Sequence, residues 1–311
     1  TNRFQRIVLE QTRLPHRVHR EGIDVLWSPG YTAPFFTRCP QVVSILDMQY
    51  KSHPEDLTRL ARMTTHVLVQ AAARHAKRLI AISEFSRDEL VRHAGVPRER
   101  VTVTHLGVNP RYFRPVEAEV ITSLRHRLGI PAGPYLLCVA NSYPHKNVHH
   151  AVEVMTALAA ELPHRLVLVG RPRLGEARLQ QAMAAAPVGR VCRLQRVEAE
   201  DLTGLYHGCE AFFFPSLYEG FGLPVLEALA AGVPVLTTRG GSLVEVGGTH
   251  ACYVEGNNVG KSVNALRDIL CRSPKDKEMR IEAGRAWARR FTWQQTARLT
   301  LQALEEASHG T

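Results

Sequence analysis

The chain has 311 residues, 45% of them hydrophobic, and a formal net charge of +10. That length accommodates about two compact domains, each with its own core. No apolar run reaches the ~18 residues of a membrane-spanning helix, and the N-terminus lacks a charged-then-apolar leader pattern, so the sequence predicts a soluble, cytoplasmic protein.

The six cysteines (Cys39, Cys138, Cys192, Cys209, Cys252 and Cys271) are scattered, several within apolar runs. That spacing suits reduced core thiols better than a disulfide framework or a metal site. Residues 1–120 carry 18 Lys and Arg against 12 Asp and Glu, and the remainder 21 against 17. Excess positive charge draws phosphates and anionic membrane surfaces, so peripheral contact with the inner membrane surface is expected of the basic N-terminal part. No basic run is interleaved with stacking aromatics, and no nucleic-acid partner is expected.

In chain order, a basic segment with Arg3, Arg6, Arg13, Arg17 and Arg20 precedes the first strand candidate, Ile23 to Trp27. Further strands are read at Gln41 to Leu46, Arg78 to Ile82 and Val101 to Thr104. Asp56 to His75 reads as a long helix, and Ser86 to His93 as a short one opened by a Ser86–Glu89 capping box. Arg111 to Pro134, with Pro115, Gly129, Pro131, Gly133 and Pro134, reads as an interdomain linker around one short helical stretch. Strands follow at Tyr135 to Ala140, Arg165 to Val169, Arg190 to Leu194, Ala211 to Phe214, Pro234 to Thr237 and Ala251 to Val254. Near-continuous apolar runs such as Leu136–Ala140 imply a parallel sheet covered on both faces. Its ligand crevice should lie at the carboxyl ends of the strands. Lys275 to His309 reads as two helices broken around Phe291-Thr292-Trp293.

The stretch from Pro215 to Val235 is the most informative. A strand ends at Pro215, a loop with Gly220 and Gly222 follows, and a helix begins near Leu223 with Pro224 in its first turn, where a missing N–H costs nothing. The loop offers backbone N–H groups at a helix N-terminus, a suitable place for a diphosphate or a sugar hydroxyl. Glu219 and Glu227 flank it, and a carboxylate can accept two hydrogen bonds from a vicinal diol. Either could instead be an ordinary charge, Glu227 on the helix dipole and Glu219 in solvent. Asn141 to Asn147 leaves an apolar strand for a helix and brings Lys146 to where a phosphate could be met, unless it is a plain surface lysine. His145 and His149 stand four apart but have no carboxylate or thiol neighbour to complete a metal site.

The string Pro-Ser-x-x-Glu-Gly-Phe-Gly-Leu-Pro-x-Leu-Glu-Ala, from Pro215 to Ala228, resembles the E-x7-E motif of family-four glycosyltransferases, the glycosyl transferases group 1 with the GT-B fold. Pro144-His145-Lys146-Asn147 and Gly107-Val108-Asn109 resemble two further turns of that family. So do Ser28 to Tyr31, Asp47 to Tyr50 with Pro54-Glu55, and Ile82 to Ser86.

The resemblance implies an α/β architecture of two Rossmann-like domains facing across a cleft. Their expected extents are residues 1–125 for an acceptor-side domain lacking its opening strand, and 126–285 for a nucleotide-sugar domain. Residues 286–311 would form a helix crossing back to the first domain. The implied activity is a retaining, metal-independent transfer of a hexose from a nucleotide-diphosphate sugar to a sugar, lipid-linked or small-molecule hydroxyl acceptor. No cofactor is implied. By position in the motif, Glu219, Lys146 and Asp47 are the candidate catalytic residues. Phe221, Gly222, Leu223, Glu227, Asn141 and Val197 are the candidate donor-binding residues, with Glu227 on the ribose, Glu219 on a sugar hydroxyl and Val197 near the base. GDP-mannose is slightly favoured over a UDP-sugar.

The chain departs from the family in three places. Leu46 stands where a histidine often precedes Asp47, Asn141 and Ser142 occupy the region of a phosphate-binding arginine, and the opening strand and Gly-rich loop of the first domain have no counterpart. A chain of this kind is expected to bind nucleotide diphosphate but transfer sugar poorly. Two alternatives stand beside the leading one: a nucleotide-sugar-binding subunit without turnover, and a GT-B-fold nucleotide-sugar epimerase.

Overall fold

The computed structural model describes residues 3–309. The chain divides into two compact units, one running up to Gly107 and taken up again from Trp293, the other Val108–Thr292. The first unit begins with α1 (Arg3–Arg20), followed by β1 (Leu26–Ser28), β2 (Gln41–Ser44), α2 (Gln49–Ser52) and α3 (Arg59–His75). It continues with β3 (Arg78–Ala81), α4 (Glu84–Ala94) and β4 (Val101–Val103). The second unit opens with α5 (Ala118–Arg127), β5 (Tyr135–Val139), α6 (Val148–Leu158), β6 (Arg165–Val169), α7 (Glu176–Ala185) and β7 (Val191–Leu194). It goes on through α8 (Ala199–Gly208), β8 (Ala211–Phe214), α9 (Leu223–Ala231), β9 (Val235–Thr238), α10 (Leu243–Gly247), β10 (Ala251–Val254), α11 (Val259–Leu270) and α12 (Pro274–Ala288). Last comes α13 (Trp293–His309), which belongs to the first unit.

The strands of the first unit pair in parallel in the order β1-β2-β3-β4. One face of this sheet packs on α3 through Val69, Ala72 and Ala73, together with Val43, Ile45, Leu79 and Leu90. The other takes Ala303 and Ala307 of α13 against Val42 and Ile80. Covering on both faces is why these strands read as apolar runs. On α1, Val18 is buried while Arg6, Arg13, Arg17 and Arg20 are exposed.

Three sequence readings change here. The long helix starts at Arg59, after a 3-10 turn over Pro54–Asp56, because Thr58 caps it by accepting the Ala61 N–H. The Ser86–Glu89 capping box does not form. Ser83, extended and two residues beyond β3, is the N-cap and accepts the Ser86 N–H at 2.9 Å. Ser86 Oγ instead donates to the Leu46 carbonyl at 2.7 Å, and Glu89 accepts from Ser52 Oγ at 3.1 Å. Residues 111–134 are not a free linker either. The turn Pro110–Phe113 and α5 fold into the second unit, where Tyr112 meets Tyr206 edge to face at 5.4 Å and Arg127 binds Asp201 through two bonds of 2.9 and 2.7 Å. The units accordingly part at Gly107 and Val108 instead of near residue 125.

The second unit holds six parallel strands in the order β10-β9-β8-β5-β6-β7. Phe212, Phe213 and Phe214 of β8 are wholly buried, and α6 and α11 cover one face through Val152, Met155, Leu158, Leu266 and Ile269. From β5 the chain winds outward to β6 and β7, then returns to β8 and winds the other way. The switch point therefore lies between β5 and β8, where the loops at the carboxyl ends diverge and leave a crevice.

Candidate active site

The loops that follow β5 and β8 flank that switch point, and each carries one candidate catalytic residue. Beyond β5, Pro144–Lys146 forms a 3-10 turn, and Asn147, in the left-handed region at φ 53°, turns the chain into α6. Beyond β8, Glu219 is buried and faces this turn. Lys146 Nζ and Glu219 Oε1 stand 2.5 Å apart, and the ammonium also lies 5.7 Å from the centre of the Phe214 ring. A lysine held by a buried carboxylate and an aromatic face has its position fixed.

Hydrogen bonds from the backbone and from Asn147 tie the two loops together. Leu217 N–H donates to the His145 carbonyl at 2.7 Å, and Asn147 Nδ2 reaches the carbonyls of Pro215 (3.3 Å) and Gly256 (2.6 Å). His145 thus sits in this turn, buried and stacked on Tyr143, and not on the helix that carries His149. No group of three or more metal-ligating side chains occurs among the described residues.

The loop after β9 supports the Glu219 loop from behind. Ser242 is fully buried, and its Oγ donates toward the carbonyls of Glu219 (3.0 Å) and Phe221 (2.8 Å), while its N–H donates to Glu219 at 3.1 Å. Such close packing needs glycine: at Gly241, φ +67°, a Cβ would lie 2.3 Å from the Glu219 carbonyl oxygen. Gly222, also left-handed at φ 102°, ends the loop and opens α9, with Pro224 in the first turn as expected. The N–H groups of Gly222 and Leu223 donate to no group among the described residues, which leaves two donors and a helix dipole at the crevice.

Glu227, one turn into α9, is half-buried and accepts from Tyr206 Oη at 3.1 Å, with Tyr112 a second hydrogen-bonding partner. Burial pushes its carboxyl up to about 7, against the pull of both tyrosines and of Arg111. A carboxyl so placed changes charge near neutrality.

The β6–α7 loop wraps the β5 loop through Ser142. Ser142 N–H donates to the Arg171 carbonyl (3.1 Å), its Oγ accepts from Arg173 N–H (2.7 Å) and donates to Glu176 (2.7 Å), and its carbonyl accepts from Gly175 N–H (2.7 Å). Asn141 Oδ1 accepts the Arg171 N–H at 2.8 Å. Glu176 is held down to about 2, chiefly by its hydrogen bonds to Arg193.

The second unit joins Lys146 to Glu219 directly, carries Phe221, Gly222, Leu223 and Glu227 on the loop and helix that follow Glu219, and ties Asn141 to the β6–α7 loop. Val197 is half-buried in the loop after β7. Asp47 lies in the first unit, three residues beyond β2, and accepts the Gln49 N–H at 3.1 Å. Sequence reasoning missed Ser242, Tyr206 and the bonding role of Ser142. The Gly240-Gly241-Ser242 run straight after an apolar strand was a usable signal for the first. Nothing local marks Tyr206, whose partner is 21 positions away.

The model of the family described as Glycosyl transferases group 1 matches residues 121–287, more than half of the chain. That of Glycosyltransferase Family 4 matches residues 1–112. The O-antigen chain mannosyltransferase B of Escherichia coli is 29% identical over 296 residues, which is 93% of this chain and 71% of that protein. Other relatives are longer, and the chain spans 28% of some and 54% of others. Among solved structures, a glycosyltransferase from Rickettsia africae superposes with a TM-score of 0.77 at 17% identity, covering all of this chain and 83% of that one. HepE of Anabaena in complex with UDP-glucose gives 0.75 at 21%, covering 95% and 81%.

Proposed function

Because this chain belongs to the glycosyl transferases group 1 family and has the GT-B fold, we propose that its second unit holds a nucleoside diphosphate sugar and that the protein moves the hexose to a hydroxyl acceptor with retention. The observation that carries this reading is the Lys146–Glu219 pair across the β5/β8 switch point, beside the undonated N–H groups of Gly222 and Leu223. Lys146 and those amides meet the charge that develops on the departing diphosphate, so the charge is stabilised without a divalent ion. Glu219, held by Lys146, accepts from a hydroxyl of the donor sugar. Glu227 accepts from the ribose diol, Phe221 adds its backbone, Asn141 sets the phosphate loop and Val197 lies toward the base.

Mannose carried by GDP is the favoured donor, since a relative matched over 93% of this chain is a mannosyltransferase. The acceptor is a sugar, lipid-linked or small-molecule hydroxyl. An anionic membrane surface is a further partner, met by the exposed arginines of α1 and by Leu60, Met63 and Val67, which are exposed along α3. Among the described residues no helix is long and apolar enough to cross a membrane.

A thermal-shift series with GDP, UDP and ADP tests the reading, because a ligand that binds only the folded state raises its melting temperature. One diphosphate should stabilise the protein well above the others. No response to any of the three sinks the proposal.

A further inference from the structure

Charge balance at the candidate site leaves a gap. A diphosphate brings more than one negative charge, yet Lys146 is already neutralised by Glu219 at 2.5 Å. Other cations at the carboxyl ends of this sheet are also engaged. Arg193 is bound by Glu176, Arg196 is paired with Glu198 at 3.2 Å, and Arg239 stacks on Tyr253 at 4.9 Å. Arg171 differs. It is exposed, and its guanidinium has no ion pair, hydrogen bond or ring contact among the described residues.

The backbone of Arg171, by contrast, is among the most constrained in the unit. Its N–H donates to Asn141 Oδ1 at 2.8 Å and its carbonyl accepts Ser142 N–H at 3.1 Å, so both polar groups of its main chain are fixed to the loop that carries Lys146. A Cβ at Gly170 would lie 2.0 Å from the Ala140 carbonyl oxygen, and one at Gly175 would lie 2.7 Å from that of Ser142. Both ends of the β6–α7 loop therefore press on the β5 loop as closely as backbone allows. Pro172 further restricts Arg171 to extended conformations. The fixed backbone sets where the side chain of Arg171 starts, beside the loop that carries Lys146, while its guanidinium stays unengaged and available to an anion.

We propose that Arg171 is the second cation of the donor site and binds the diphosphate of the nucleotide sugar beside Lys146. This rests on the donor reading given above. Asn141 and Ser142 act as positioning residues: they are the clamp that holds Arg171 over the phosphates. The loop after β6 thereby supplies a charge that the β5 loop itself lacks, since Lys146 is its only Lys or Arg between Ala140 and Asn147.

The test is calorimetric titration of GDP and UDP, and of guanosine and uridine, into the parent chain, Arg171→Ala, Arg171→Lys and Arg178→Ala. Arg178 is an exposed cation on α7 and reports any general effect of charge. Loss of one charged contact should raise the Kd of the bound diphosphate about tenfold or more in Arg171→Ala. Affinity for the matching nucleoside and the melting temperature of the free protein should not change. Arg171→Lys should recover part of the loss, and Arg178→Ala should stay within about twofold of the parent. If Arg171→Ala binds the diphosphate like the parent, or loses diphosphate and nucleoside in equal proportion, the inference is overturned while the donor reading stands. A parent chain that binds neither diphosphate overturns both.

Discussion

Lys146 Nζ and Glu219 Oε1 lie 2.5 Å apart although 73 residues separate them in sequence. One comes from the loop after β5 and the other from the loop after β8, so the pair exists only because these strands are neighbours in the sheet. Each side chain fixes the other. Removing either leaves a charge near a crevice with its partner gone, which is worse than removing both.

A double-mutant cycle follows from that coupling. Lys146→Ala should lower the rate of sugar transfer about 10²- to 10³-fold, the usual cost of losing one preorganised charge at a departing group. Glu219→Ala should lower turnover more than nucleotide affinity. The double variant should be much less impaired than the product of the two single effects. Measured kcat and Kd for the four proteins decide it, and strictly multiplicative losses would refute the coupling.

Glu227 gives a pH signature. Its folded carboxyl is raised from 4.5 to about 7, so between those values the folded protein keeps a proton that the unfolded chain has lost. That cost to folding is absent below about pH 4.5, grows as pH rises toward 7 and is complete above it. Ionisation at the same time creates the better acceptor for a ribose diol. Donor affinity should therefore increase from pH 6 to pH 8, and Glu227→Gln should abolish the increase while improving stability at pH 8. Identical pH profiles for parent and variant would show that Glu227 does not touch the donor.

Gly241 is the residue through which the loop after β9 supports Glu219. Alanine there must adopt φ +67° and bring a Cβ within 2.3 Å of the Glu219 carbonyl oxygen. The left-handed conformation alone costs about 1 kcal/mol, and the contact adds to it. Gly241→Ala should lower the melting temperature by several degrees and weaken nucleotide binding with it. Unchanged values for both would mean that the two loops move apart freely.

Chelation separates charge stabilisation by Lys146 and main-chain amides from stabilisation by a divalent ion. Transfer activity should persist in excess EDTA. Complete loss restored by added metal would remove metal independence from the account.

Much of this was readable in one dimension, but unevenly. The strands and the turn into α9 are local matters: apolar runs, Pro224 and Gly222 mark them, and they lie within a residue or two of where the sequence puts them, except β1, which begins at Leu26, three residues after the expected Ile23. The two candidate carboxylates were found for the same reason. The Ser83 cap escaped because two serines compete for one helix start, and only burial of Ser86 against Leu46 decides between them. The segment 111–134 was misread because its prolines and glycines suggest a linker, whereas Tyr112 and Arg127 are anchored by residues some 74 to 94 positions further on. The partner of Lys146 is 73 positions away, that of Glu227 21, and those of Ser142 about 30, and no spacing rule reaches them.

A crystal structure of the protein with its preferred nucleoside diphosphate shows whether the ligand lies at the β5/β8 switch point. Phosphate oxygens should lie within hydrogen-bonding distance, about 2.7–3.2 Å, of Lys146 Nζ and the N–H groups of Gly222 and Leu223, with the ribose on Glu227. A nucleotide bound elsewhere on the chain, with Lys146 still closed on Glu219 and those amides untouched, would contradict this placement.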